Sequence, residues 1–192
     1  MVGLVVKRLD ESTWPAYVKL IEKHNGVWGG CWCLYFHQKG TGSHEGNRDA
    51  KHSLMCEGKA QAALIFDGEA AVGWCQFGRS DDLPRIQHKK EYEKQKKDQA
   101  DWRITCFFVD RDYRRRGITS LALQGALDFI AQSGGGLVES FPGMTGEKRT
   151  SSSFLYNATV SIFERAGFTH IAPVSKSHRL MTKHVESIQS QD

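Results

Sequence analysis

Between Trp102 and Ile130 the chain changes from one periodicity to another across a single basic turn, and no other stretch constrains the fold as strongly. Trp102–Val109 carries Ile104, Cys106, Phe107, Phe108 and Val109 almost without interruption, the composition of a buried strand. Asp110 follows, then Arg111, Arg114, Arg115 and Arg116, then Gly117. Beyond Gly117, residues Ile118, Leu121, Ala122, Gly125, Ala126, Phe129 and Ile130 keep the i, i+3, i+4, i+7 spacing of a long amphipathic helix, which Gly134-Gly135-Gly136 ends. A strand that turns directly into a helix aims the free N–H groups of that helix, and the positive end of its dipole, at whatever lies over the turn. Gly117 has no Cβ and lets the backbone approach a ligand, Thr119 and Ser120 add hydroxyl donors, and the arginines add charge and forked donors. Cations at a helix start oppose its dipole, so three of them together point to a bound anion; the plainer alternative is a basic turn that solvates a helix start. The stretch is not a Walker loop, having no Gly-Lys-Ser/Thr, nor a dinucleotide fingerprint, whose second and third glycines are missing.

The remaining sequence predicts short alternating elements. Val2–Leu9 is expected to be a strand, and Trp14, Tyr17, Val18 and Ile21 the face of a helix capped by Asp10 or Ser12, with Pro15 tolerated in its first turn. Residues 25–43 form a loop too rich in Trp28, Trp32, Tyr35 and Phe36 to float in solvent, and a helix is expected over Arg48–Glu57. Ala62–Phe66 and Ala71–Phe77 flank Asp67-Gly68, a hairpin signal. Arg79–Ala100 is a long polar excursion. Leu137–Phe141 is a short buried strand and Pro142–Ser153 a polar segment. Leu155, Ala158, Thr159, Ile162, Phe163 and Ala166 form a helical stripe stopped by Gly167, before a closing pair of strands over Phe168–Val174 and His178–Lys183. This order is that of a mixed α/β domain with an antiparallel first half, expected over residues 1–185 with a polar tail at 186–192.

Composition excludes several classes. A net charge of +4 is too mild to argue for nucleic acid, and the lysines of Lys89–Lys97 are interleaved with Glu91 and Glu93, the pattern of a solvated face. No apolar run approaches the ~18 residues of a membrane span, and Met1–Asp10 does not resemble an export signal. The expectation is a cytoplasmic protein whose five cysteines are reduced. Cys31, Cys33, His24 and His37 lack the paired spacing of a structural zinc site, and no metal is expected.

Five blocks, Gly29–Tyr35 (GGCWCLY), Val72–Arg79 (VGWCQFGR), Ile104–Gly117 (ITCFFVDRDYRRRG), Val138–Pro142 (VESFP) and Phe154–Phe168 (FLYNATVSIFERAGF), occur in an order that resembles the GNAT superfamily of acyl-CoA-dependent N-acetyltransferases. The likeness spans residues 3–183 and is to a small bacterial-type branch with a Cys-Trp-Cys segment near its start. Arg114-x-x-Gly117-x-Thr119 resembles the family's acyl-CoA motif, with Thr where Gly or Ala is usual. The resemblance implies a mixed sheet of about six or seven strands, splayed between the fourth and fifth and flanked by about four helices. It implies acetyl-CoA as donor, a small-molecule or protein amine as acceptor, no metal, and in many relatives a homodimer. By the same likeness Arg114, Arg115, Arg116, Gly117, Ile118, Thr119 and Ser120 hold the phosphates. Phe107, Phe108 and Val109 border the pantetheine arm, a backbone N–H near Phe108 or Val109 stabilises the oxyanion, and Asn157 contacts the arm.

The family's acid, a Tyr four residues before a Gly-Phe pair, is Phe163 here, which leaves open a catalytically silent CoA-binding regulator. Tyr156 is either its substitute or a packing residue. Glu139 is either the base or half of a structural pair, because a carboxylate buried alone is costly. Cys106 is read as a small core residue. Trp28, Trp32, Tyr35 and Trp74 either wall the acceptor pocket or form a small aromatic core. The acceptor itself is not legible.

Overall fold

The computed structural model describes residues 3–144 and 156–188. Seven strands run through it: β1 (Val5–Arg8), β2 (Gln61–Asp67), β3 (Ala70–Arg79), β4 (Trp102–Val109), β5 (Gly136–Ser140), β6 (Thr169–Pro173) and β7 (Arg179–Val185). They form one sheet in the order β1-β2-β3-β4-β5-β7-β6. All neighbours are antiparallel except β4 and β5. The hairpin forms where Asp67-Gly68 predicts it, with Gly68 at φ +59° and Asp67 paired to Ala70.

The parallel pairing of β4 and β5 covers only Trp102↔Val138, Arg103↔Glu139 and Ile104↔Ser140. The chain leaves β4 for a local reason. Ser140 Oγ donates to the Ile104 carbonyl at 2.9 Å, and two residues on, Pro142 has no N–H to continue a ladder. Gly143 then turns to other partners, its N–H donating to the Ala158 carbonyl and its carbonyl accepting from Val160. β4 runs on alone to Val109, so the two strands splay.

Helix α5 (Ile118–Gln132) packs on one face of the sheet with Ile118, Ala122, Leu123, Ala126, Leu127 and Ile130 buried. Gly125 lets it lie close, since a Cβ there would collide with Val6. The other face is covered by α1 (Trp14–Lys23), the turn α2 (Val27–Gly30), a 3-10 turn over Leu34–Phe36 and α3 (His44–Cys56). α3 starts earlier than the apolar spacing implies because Ser43 caps it, accepting from the Gly46 N–H at 3.0 Å. Asp10 supports the start of α1 through the Thr13 N–H at 3.0 Å.

Two expectations are corrected. The polar excursion holds a helix, α4 (Lys89–Gln95), anchored by Tyr92, which is buried against Phe141 at 5.5 Å. With it the helices number six among the described residues rather than four. The last helix, α6 (Val160–Arg165), begins later than the stripe suggests, and Leu155 lies outside the described residues, as do residues 145–153 of the polar segment and 189–192 of the tail.

Beneath α3 the packing is polar. Lys51 is fully buried and its Nζ contacts Gln76 Oε1 at 2.6 Å and His37 Nε2 at 3.2 Å. His37 Nδ1 faces the Asp82 carbonyl at 2.8 Å, which assigns a neutral ring protonated at Nδ1. Burial, then the Lys51 charge, push the His37 pKa down from 6.5 to about 3. Between those values the unfolded chain binds a proton that the native protein refuses. Stability therefore falls on acidification, by up to about 1.4 kcal/mol per pH unit from this group. Urea titrations between pH 7 and 4 should show a shallower loss for His37→Gln than for the native protein; equal slopes would refute the assignment.

Candidate active site

The splay opens a cleft of about 400 Å³. Its floor is Phe107, Phe108 and Val109 of β4, one end is Arg114 and Thr119, one side is Ala158, Thr159 and Ile162, and the opposite side is His24, Val27 and Trp28. A larger depression, of about 490 Å³, lies beside α1 and the β2–β3 hairpin. It is lined by the start of α1 and the antiparallel β2–β3 hairpin and has no gap between parallel strands, so geometry rather than size marks the cleft as the site.

The backbone of β4 decides what the cleft offers. The Asp110 N–H donates to the Val72 carbonyl of β3 at 2.9 Å. By strand alternation the Phe108 N–H also faces β3, while those of Phe107 and Val109 face the gap. Of the two oxyanion donors expected from sequence, Phe108 is thus excluded and Val109 retained. Phe107 donates to the Tyr156 carbonyl at 2.6 Å.

Asp110 closes the strand and builds the turn. Its carboxylate accepts from the Asp112 N–H at 3.1 Å and from Lys23 Nζ at 2.7 Å, and lies 3.3 Å from His24 Nε2. Burial would raise its pKa, but the Lys23 and Asp112 bonds outweigh that and hold it below the usual range. Gly117 takes φ +77°, a left-handed cap that a side chain would strain. The first backbone bond of α5 runs from the Leu121 N–H to Gly117, which leaves the N–H groups of Ile118, Thr119 and Ser120 without intrahelical acceptors. Arg114, Arg115 and Arg116 are exposed around this helix start, with Arg116 lying over the Tyr113 ring at 5.1 Å.

Asn157 is buried beside the cleft-lining Ala158, and its Oδ1 has no hydrogen-bond partner among the described residues. A buried amide oxygen in that state suits a ligand that donates to it. Tyr156 is half-buried and its hydroxyl donates to Gln87 Oε1 at 2.6 Å; burial raises its pKa, so it stays protonated.

The expected aromatic walls separate into two groups. Trp28 reaches the cleft, edge-on to Phe108 at 5.8 Å and to Tyr156 at 6.1 Å. Trp32 and Trp74 do not: each is 1% exposed. Trp74 stacks behind Phe108 at 4.7 Å, and Trp32 lies between Trp14 and His44. They are the core that backs the wall. Tyr35 packs on Phe36 and under Arg85.

Glu139 is the structural alternative rather than a free base. It is 2% exposed, accepts from Arg103 Nε at 2.6 Å and from the Tyr92 hydroxyl at 3.2 Å, and lies outside the cleft. Burial raises its pKa against the opposing pull of Arg103. Phe163, in place of the family's acid, is wholly buried against Phe107 and Phe168.

Sequence reasoning missed His24 and Gln87 as cleft neighbours. Neither pairing leaves a local trace, since His24 meets Asp110 and Gln87 meets Tyr156 across 69 positions or more. A signal did exist for the turn that presents Trp28. Asn25-Gly26 and Gly29-Gly30 bracket a run from Asn25 to Gly30 in which every φ is positive.

Residues 28–142 match the Acetyltransferase (GNAT) family, more than half of the chain. The chain belongs to the GNAT acetyltransferase family. Its fold is shared by N-acetyltransferase from Staphylococcus aureus Mu50, at 12% identity, TM-score 0.54, and coverage of 96% of this chain and 98% of that one. It is shared by a GNAT-family acetyltransferase from Streptococcus pneumoniae, at 13% identity, TM-score 0.53, and coverage of 95% and 99%. The PaiA N-acetyltransferase from Thermoplasma acidophilum, solved in complex with coenzyme A, matches at 11% identity, TM-score 0.53, and coverage of 95% and 99%. No curated protein matches the chain by sequence. In this GNAT domain Glu139 holds β4 to β5 just below the splay. Glu139→Ala should cost about 3–5 kcal/mol of stability in urea denaturation, because it leaves Arg103 buried and unpaired; a loss under about 1 kcal/mol would show that the pair is dispensable.

Proposed function

We propose that this protein is an N-acetyltransferase that moves an acetyl group from acetyl-CoA to an amine by direct attack. The observation that carries the proposal is the continuity of the cleft. Beyond Ile104↔Ser140 the gap passes the Val109 N–H and ends at the uncapped start of α5, among three exposed arginines. A long ligand with an amide-bearing arm and an anionic end fits that sequence of groups. The free N–H groups of residues 118–120 receive the phosphates, and Arg114 and Arg116 add charge-assisted bonds. The Asn157 amide oxygen accepts from an amide on the arm.

Bound acetyl-CoA would supply an activated thioester. The chain's own part is to position it, to stabilise negative charge at the acyl oxygen through the Val109 N–H, and to manage protons. Tyr156 is the proton donor for the departing thiolate. It stays protonated, its hydroxyl is oriented by Gln87, and its ring lies edge-on to the cleft-lining Trp28 at 6.1 Å. The aromatic edges of Trp28, Phe108 and Tyr156 shape the side from which the acceptor amine approaches.

Two substitutions separate binding from chemistry. In calorimetric titration, Arg114→Ala with Arg116→Ala should weaken acetyl-CoA binding by about tenfold or more while leaving the thermal midpoint unchanged; unchanged affinity would defeat the phosphate cradle, and equal affinity of the native protein for ATP would defeat the donor assignment. Tyr156→Phe should lower kcat by about 10²-fold with little change in CoA affinity. Full activity in that variant would remove Tyr156 from the mechanism. A native protein that binds CoA yet releases no thiol with any amine would be the silent regulator instead.

A further inference from the structure

Two positions before Phe108, in the same packed cluster, lies a group of buried side chains that has no part in the mechanism proposed above. Cys33 and Cys106 are 2% and 3% exposed, and their Sγ atoms are 2.8 Å apart. That is closer than two sulfurs in ordinary contact and needs only a short further approach to the bonded separation of about 2.05 Å. Cys33 comes from the Cys-Trp-Cys loop and Cys106 from the middle of β4, 73 positions later.

A second observation concerns charge. Lys51 is wholly buried, and its contacts among the described residues are Gln76 and neutral His37, neither an anion. A buried ammonium without a counter-ion is costly. The acidic groups whose charges it feels are the thiols of Cys33, Cys106 and Cys31. Gln76 links the two parts, accepting from Lys51 and donating through Nε2 to the Cys33 carbonyl at 3.2 Å and to Thr105 Oγ1 at 3.1 Å. The two sulfurs are not equivalent. Burial would raise the Cys33 pKa, but the bond to Cys106 and the Lys51 charge together lower it, whereas burial and the same bond push Cys106 well up. Cys33 is thus the more acidic thiol of the pair, and one hydrogen bond joins the two sulfurs.

A third observation is strain. Trp32 and Cys33 both hold φ +52°, a conformation that costs free energy in residues with side chains and is found where surrounding structure enforces it. The loop is held with the Cys33 sulfur pressed on β4.

We propose that Cys33 and Cys106 are a redox dithiol, converted by small hydroperoxides to an intramolecular disulfide that fastens the Cys-Trp-Cys loop to β4. The chemistry balances in two steps. The Cys33 sulfur attacks a peroxide oxygen, the O–O bond breaks, and the departing oxygen leaves as water (or an alcohol) after protonation, giving a sulfenic acid. The Cys106 sulfur then attacks Cys33, the S–O bond breaks, and a second water leaves with the Cys106 proton. Two thiols are oxidised by two electrons, and one peroxide is reduced. The consequence is local to the cleft. Cys106 adjoins Phe107, and the loop that carries Cys33 also carries Trp28, so the bond ties the aromatic wall to the floor.

The test uses the full-length native protein and does not depend on acetyl transfer. The reduced protein is exposed to hydrogen peroxide, denatured, alkylated at free thiols and mapped by mass spectrometry. The expected result is a mass lower by two hydrogens, loss of alkylation at Cys33 and Cys106 alone among the five cysteines, a peptide pair joined through them, and full reversal by dithiothreitol. Lys51→Met should slow the reaction at neutral pH, and Cys106→Ser should leave Cys33 to progress to sulfinic acid. Five alkylatable thiols after peroxide treatment, or a bond joining Cys31 to Cys33 or any intermolecular bond in place of Cys33–Cys106, would overturn the proposal.

Discussion

The loss of pairing between β4 and β5 after Ile104↔Ser140 is the constraint on which the site depends. Backbone N–H and C=O groups in a central strand cannot be left without partners at no cost. Where β5 departs, the exposed edge of β4 must be satisfied by something else. Part of the answer is internal, since the Tyr156 carbonyl takes the Phe107 N–H. The rest is a row of donors and acceptors that face the gap. The divergence is secured from below by Arg103 and Glu139, neighbours in the last paired rows and joined by a buried ion pair to which Tyr92 of α4 also bonds. A carboxylate in that position lies outside the cleft and fixes the shape of the sheet.

The end of β4 is as tightly specified as its beginning. Asp110 accepts from the turn's own backbone and from α1, through Lys23, so the helix that leads into the turn presenting Trp28 and the turn that carries the arginines share one anchor. The consequence is electrostatic as well as steric. Lys23 neutralises the carboxylate, which leaves the helix start and the exposed arginines as the dominant field for an incoming anion.

What was legible in the sequence is what depends on neighbours along the chain. The β4–turn–α5 unit, the Asp67-Gly68 hairpin and the stripe of α5 each announce themselves by local period or turn chemistry, and the structure builds all three. What was not legible depends on side chains that meet across the fold. Arg103 and Glu139 are 36 positions apart, and Lys51 and Gln76 are 25 apart. Each alone looks like a surface residue or a free functional group. Trp28, Trp32 and Trp74 are the same residue type in the same aromatic region, yet only Trp28 faces the cleft, because stacking among Trp14, Tyr17, Trp32, Trp74 and Phe108 decides the rest. The polar excursion after β3 hid a helix because a single buried aromatic, Tyr92, supplies its anchor where a stripe would be expected.

Packing also explains why position 163 carries no hydroxyl. Phe163 is enclosed by Phe107 and Phe168 with no exposed surface, on the face of the sheet that α5 covers. A hydroxyl there would be buried without a partner unless the core were rebuilt around it. Tyr156 has no such difficulty. Its ring contributes to the aromatic cluster beneath α1 and α3, and its hydroxyl emerges beside Gln87, which accepts from it. Because its own carbonyl is bound to the Phe107 N–H, the residue is fixed to β4 at its backbone and to Gln87 at its phenol. Position 163 is core, and Tyr156 is held by the strand whose exposed edge defines the cleft.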